Sequence, residues 1–194
     1  GCYHTELYHF NLDGVTVGII AQAVGASFAV LLAAQLFVSG CKLLLSMTSS
    51  GKISPTLEAP CFVLIDRTLR DEGTSYHYLP PSDYSDANKN LLADLSAAKW
   101  ACEGSVHTGS VWTTDAPYRE TEVAIANARE RGLLAVEMEA AALYAFAAAT
   151  DNPVICFAHI TNEMAQNGAD FEKGEGNGAK DALSVISTAV QYLK

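Results

Sequence analysis

The apolar positions of this chain come in short blocks of two kinds, and the two kinds alternate. Compact runs at 15–21, 42–47, 61–65, 133–136 and 153–160 read as strands, as does the alternating segment 105–113. Between them, helical spacing falls at 27–38, 85–102, 120–131, from about Met138 onward, and at 179–193. Strand and helix taking turns predicts an α/β protein: a three-layer α/β/α sandwich around a central mixed, mainly parallel sheet. No internal repeat or linker interrupts the alternation, so a single domain over 1–194 is expected.

One stretch tests that reading. From Gly14 to Cys41 there is no charged residue, a span long enough to cross a bilayer. Gly18, Gln22, Gly25, Ser27, Gln35 and Ser39 interrupt it, however, and no basic flank precedes it. A strand, a glycine-containing turn and a helix explain the same residues. The formal charge of −10 argues against a nucleic-acid or anionic-membrane partner, since both are held by Lys and Arg clusters. A small-molecule partner is favoured. Five dispersed cysteines, Cys2, Cys41, Cys61, Cys102 and Cys156, fit thiols in a reducing compartment, the cytoplasm, better than a disulfide framework. Cys102 with His107 is the nearest approach to ligand spacing, and no structural metal is expected.

Candidate chemistry gathers where strands end. Glu137 and Glu139 stand between the apolar run 133–136 and an Ala-rich helix, where an unpaired buried charge would cost several kcal/mol. Helix-start chemistry accounts for such a pair, because acidic groups offset the macrodipole and accept from free N–H groups. The alternative is a carboxylate accepting from a hydroxyl-rich ligand, since ligands bind at the carboxyl ends of strands in α/β sheets. Three loops follow other strands. Thr48-Ser49-Ser50-Gly51 reads as an ordinary turn or as a cradle for a phosphate or sugar hydroxyl, without the Gly-Lys-Ser/Thr ending of a Walker loop. The run from Arg70 to Pro81 reads as a solvated loop or a pocket wall, with His77 a structural group or a base. In Thr161-Asn162-Glu163-Met164, Asn162 is suited either to capping the next segment or to reading the edge of a planar heterocycle.

The run Ala135-Val-Glu-Met-Glu-Ala-Ala-Ala-Leu-Tyr144 resembles the signature of the nucleoside phosphorylase and nucleosidase superfamily. Arg70-Asp-Glu-Gly-Thr-Ser-Tyr-His-Tyr78 resembles its uridine-phosphorylase-like branch, and the likeness runs from about Val15 to the C-terminus. The resemblance implies a phosphorylase/hydrolase-like fold and cleavage of the N-glycosidic bond of a nucleoside. Phosphorolysis to free base and ribose 1-phosphate is the reaction implied, with inorganic phosphate as co-substrate and no cofactor. It further implies that Glu139 grips the ribose 2′- and 3′-hydroxyls while Met138 packs under the sugar. Thr48, Ser49 and Gly51 would form the phosphate- or water-binding turn. Asn162 falls where adenosine-cleaving members carry an acid, and Trp112 and Tyr118 fall near the base. Glu139 and Asn162 are thus the implied catalytic residues.

The chain also departs from the family. Ser46 stands where phosphorolytic relatives carry an Arg, and the first phosphate-binding strand and loop of the family, with their Gly and Arg, are not evident at the N-terminus. The Gln and Arg that read uracil are not evident after Tyr118, although Arg119 is near. Asn162 cannot donate a proton as an acid can. Phosphate-independent hydrolysis, or nucleoside binding without turnover, are therefore the alternatives. Family members usually form dimers or hexamers, and a homo-oligomer is expected with residues 76–78 at a contact.

Overall fold

The structure, a computed structural model, describes residues 5–163 and 178–193. Strands β1 (Tyr8–Leu12) and β2 (Val15–Ile19) form a hairpin. Asp13 and Gly14 turn it with φ of 49° and 84°, the pairing of positive angles that suits a two-residue hairpin loop. This hairpin is a separate two-stranded sheet, so the strand expected at 15–21 lies outside the central sheet. Helix α1 (Ala26–Val38) follows, then β3 (Leu44–Lys52), β4 (Cys61–Asp71), β5 (Tyr84–Asp86), α2 (Lys89–Leu95), β6 (Val106–Thr114), α3 (Glu122–Glu130), β7 (Ala135–Glu137), α4 (Ala140–Thr150), β8 (Val154–Glu163) and α5 (Ala179–Tyr192). Asp13 accepts hydrogen bonds from Ser187 and Gln191, which fastens the hairpin turn to α5.

The central sheet has the order β5-β4-β6-β7-β3-β8 and is mixed. Its two longest ladders, β3 with β8 and β4 with β6, are parallel, as the alternation of elements predicts. The far strand β8 also pairs antiparallel with β4, from Cys61 opposite Ile160 to Leu64 opposite Phe157, so the sheet curls until β8 meets β4. Period-two alternation explains the layers. On β4, Cys61, Val63 and Ile65 enter a core with α1 and α4, together with Cys156, Ala158 and Ile160 of β8. Phe62 and Leu64, with Ile155 and Phe157, face the other way and pack with Leu95 of α2 and Val185 and Ala189 of α5. Strands buried on both faces are apolar throughout, which is why these runs stood out in the sequence. A third, smaller core gathers Ile53, Trp112, Ala128, Leu133 and Val136. Among the described residues no helix is long and apolar enough to cross a membrane.

Two expected elements differ. The helix expected at 85–102 begins as β5, because Thr68, Ser85 and their neighbours pair antiparallel at the free edge of β4, and only 89–95 is α-helical, capped by the Asn88 side chain. The turn expected at 48–51 is part of β3. Flanking strands on both sides supply partners for its backbone, which outweighs the turn preference of Thr-Ser-Ser-Gly, and a bulge between Ser50 and Gly51 absorbs the irregularity. Most of the Gly-rich stretch 167–178 lies outside the described residues.

Tyr144 pins α4 to the sheet. Its hydroxyl donates to the Ile65 carbonyl at 2.7 Å and accepts from the Cys156 N–H at 3.0 Å, fully buried among apolar neighbours. Replacing Tyr144 by Phe strands two buried backbone groups, and a loss of about 2 kcal/mol is expected in urea unfolding with an unchanged denaturant slope. A loss under about 0.5 kcal/mol would show that these groups find other partners.

Candidate active site

The short strand β7 runs directly into α4, and the two glutamates at this junction do different work. Glu137 is 3% exposed. Its Oε2 accepts the N–H groups of Glu139 and Ala140, each at 2.8 Å, and its Oε1 accepts the hydroxyl of Thr113 on β6. Thr113 in turn accepts the Ala141 N–H at 3.0 Å and shares a hydrogen bond with Thr68 of β4 at 2.7 Å. Three donors serve one carboxylate, and with Thr113 it meets the free N–H groups of Glu139, Ala140 and Ala141 at the first turn of α4. Burial, and after it the charge of Glu139, still push the Glu137 carboxyl up to about 7.

Glu139 precedes the first helical residue, yet its side chain makes no capping bond. Instead Oε1 accepts the N–H of Gly25 at 2.6 Å, from a segment 114 residues away in sequence. The group is 5% exposed, and burial raises its pKa while the amides of Gly25 and Met138 oppose the rise. Gly25 has φ of 93° and immediately precedes α1, a geometry open to glycine and strained for other residues. The carboxylate of Glu139 therefore joins the starts of two helices, where macrodipoles offset part of the cost of its burial. The helix-start role considered for both acids belongs to Glu137. Glu139 instead takes the Gly25 N–H, beside the half-buried Met138.

The topology brings the other candidates to the same end of the sheet. β3 lies between β7 and β8, with Gly51 opposite Val136 on one side and opposite Asn162 on the other. Ser49 is exposed and its hydroxyl bonds to that of Thr161 at 2.9 Å, while Thr48 reaches Ser50 and the Phe157 carbonyl, both at 3.4 Å. Ser46 is half-buried opposite Cys156. Thus residues 48–51, Asn162 and the strand that leads into the Glu-Met-Glu junction are neighbours in the sheet. The side chains of Asn162 and Glu163, and the whole of Met164, lie outside the described residues.

Other candidates are placed elsewhere. Trp112, expected near a base, is packed against Ile53, Leu133 and Val136, and its indole N–H donates to Asp71 at 3.0 Å. An apolar pocket behind β7 outcompetes a ligand-facing position for so large a ring. Tyr118 is 83% exposed in a 3-10 turn, Pro117–Arg119, after β6. Arg70 is buried and organises its own loop: it donates to Ser75, to Ser82, and to the carbonyls of Leu79 and Pro80, and its guanidinium lies over the Tyr76 ring. Glu72 caps the 3-10 turn Ser75–His77 through the N–H groups of Thr74 and Ser75. In the segment 76–78, Tyr78 turns inward onto Phe146, whereas Tyr76 and His77 are exposed. His107 pairs with Ser105, and the Cys102 thiol donates to the Gly104 carbonyl.

Sequence reasoning passed over Thr113, Thr68 and Gly25. A Thr at the end of an alternating strand, and a glycine two residues before a helical serine, were the signals present; neither is specific, because what matters is which carboxylate lies across the sheet.

Residues 2–191 match the model of the phosphorylase superfamily, and the chain belongs to that family. It is 24% identical over 195 residues to a guanosine phosphorylase of Halorubrum lacusprofundi, an alignment covering 97% of this chain and 81% of that protein. Its fold is similar to that of a uridine phosphorylase from Vibrio fischeri ES114, solved in complex with 6-hydroxy-1-naphthoic acid. The TM-score is 0.75 at 17% identity, over 97% of this chain and 75% of that one.

Glu137 also ties stability to pH. Its carboxyl titrates at about 7 when folded against an ordinary value of 4.5, so between these values the folded chain binds more protons than the unfolded one. Unfolding then releases protons, and stability falls as pH rises through this window, by about 3 kcal/mol in all from this group. Denaturation of the Glu137→Gln variant at a series of pH values should lack that component; an unchanged slope would place the titration elsewhere.

Proposed function

We propose that the chain cleaves the N-glycosidic bond of a nucleoside by phosphorolysis, releasing the free base and ribose 1-phosphate. The single observation that carries this reading is the meeting, on adjacent strands, of a buried carboxylate, a run of hydroxyls and the backbone of Asn162. Such a cleavage passes through a ribosyl cation-like state, which needs a rigidly held sugar, a nucleophile beneath C1′ and a stabilised leaving base. Glu139 supplies the first, accepting from the 2′- and 3′-hydroxyls over Met138. Thr48, Ser49 and Gly51 hold the nucleophile, and the Asn162 amide hydrogen-bonds the departing base. The similarity to a guanosine phosphorylase and a uridine phosphorylase supports a nucleoside substrate. Ser46 favours a second reading, hydrolysis, because a hydroxyl there offers a phosphate none of the charge that an Arg would. A homo-oligomer in the cytoplasm, with the exposed Tyr76 and His77 at a subunit contact, completes the proposal.

Base release from guanosine, inosine, uridine and adenosine, assayed with and without phosphate, is the test. Phosphate-dependent release is expected; equal rates without phosphate would make the chain a hydrolase, and binding without turnover would overturn both enzyme readings. Glu139→Gln retains an oxygen for Gly25 but loses the charge offered to the sugar. Its kcat/KM should fall about 100-fold with little change in melting temperature, the loss expected for two charge-assisted hydrogen bonds. An unchanged kcat/KM would return Glu139 to the helix junction alone.

A further inference from the structure

A row of buried hydroxyls crosses four strands under α4. Ser85 on β5 is in register with Thr68 on β4; Thr68 bonds to Thr113 on β6; and Thr113 bonds to Glu137 on β7. All four are at most 3% exposed. Ser85 carries the one buried side-chain polar atom without a partner among the described residues, so the row has a bonded end, at Glu137, and an open one. Nothing in the proposed chemistry uses it.

We infer that this row sets the ionisation state of Glu137 and, through it, the placement of Glu139, so that Glu137 is a positioning residue whose ionised form is the active one. The inference rests on the function proposed above. Each threonine hydroxyl has one proton to give and two lone pairs. With Glu137 ionised, Thr113 donates to Oε1, while its lone pairs accept from Ala141 N–H and from Thr68. Every group is satisfied, and the row points toward the carboxylate. With Glu137 neutral, Oε2 is already occupied by two N–H groups, so the proton sits on Oε1 and must be given to Thr113. Thr113 then turns its own proton to Thr68, and Thr68 is left with the Leu69 carbonyl at 3.5 Å, the limit of hydrogen bonding. Protonation therefore reverses the row and ends it in a weak bond, while burial works in the opposite direction; the two meet near neutrality.

The consequence reaches the sugar site through the backbone. Oε2 of Glu137 holds the N–H of Glu139 itself, and a charged acceptor holds it more tightly than a neutral one. Other titratable groups that sense this charge are Glu139 at the start of α4, Tyr144 further along it, and Cys156 on β8. β3 contributes Lys52, in register with Ala135 two residues before Glu137. The Tyr144 hydroxyl and Cys156 thiol are raised well above their ordinary values by burial, so neither titrates near neutrality.

Two variants separate positioning from simple support, because they move the acid limb of the pH profile of kcat/KM in opposite directions. Thr113→Val removes a donor to the ionised carboxylate, and the midpoint should rise by about half a unit to one unit. Thr68→Val removes the acceptor that the reversed row needs, and the midpoint should fall by a similar amount. Glu137→Gln should flatten the limb and raise KM about 10-fold, the cost of a neutral acceptor at the Glu139 amide. The two full-length threonine variants, labelled with carboxyl 13C-glutamate, give a titration that needs no turnover, and the signal missing from Glu137→Gln identifies Glu137. Opposite shifts of the Glu137 midpoint, with the Glu139 signal following, support the inference. Shifts in one direction, or none, overturn it. Unsubstituted protein that neither binds nor cleaves any nucleoside would defeat the functional proposal instead, and the carboxyl titration would still decide this one.

Discussion

A carboxylate buried away from water must find donors from the protein around it, and Glu137 finds three. They come from a β6 hydroxyl and from two backbone N–H groups of the strand-to-helix junction that follows β7. β7 itself is three residues long and pairs with each neighbour through only two residues. Ladder bonds alone hold so short a strand weakly. The carboxylate supplies the missing constraint, since sliding β7 by one residue would remove Glu137 from Thr113 and leave a buried charge without partners.

With the helix start served by Glu137, Glu139 is free of that duty. It sits at the same junction and takes the Gly25 N–H from the start of α1, and the function proposed above gives the rest of its carboxylate to the sugar. The rest of the architecture determines what that sugar would meet. Because β3 runs between β7 and β8, Gly51 at the end of the hydroxyl run lies opposite Val136 on one side and Asn162 on the other. β8 is held on its other edge by β4 and from above by Tyr144, so the three segments share one rigid frame. Preorganisation of this sort is what a ribosyl cation-like state requires.

Much of this was legible in the sequence, for physical reasons that can be named. Runs such as 61–65 and, His159 apart, 153–160 are apolar almost throughout because both faces of their strands are covered, so they announce themselves without alternation. The Glu-Met-Glu junction was visible because acids between two apolar runs have few explanations. What stayed hidden depends on pairing across the sheet. Thr48-Ser49-Ser50-Gly51 has the composition of a turn, and only the presence of strands on both sides makes it part of β3. Residues 84–86 carry no strong strand pattern and become β5 because β4 offers a free edge there. Asp13-Gly14 was a hairpin signal that the uncharged run after it obscured. Trp112 looked like a ligand-facing aromatic until the core of Ile53, Leu133 and Val136 claimed it. Thr113 and Gly25 have no specific local mark, since each matters through a glutamate that is distant in sequence.

The most direct measurement is a crystal structure of the full chain with a nucleoside and phosphate bound. The ribose 2′- and 3′-hydroxyls should lie within hydrogen-bond distance of the Glu139 carboxylate, with the sugar over Met138 and phosphate against residues 48–51. A sugar bound elsewhere, with Glu139 engaged only by Gly25, would contradict the central claim.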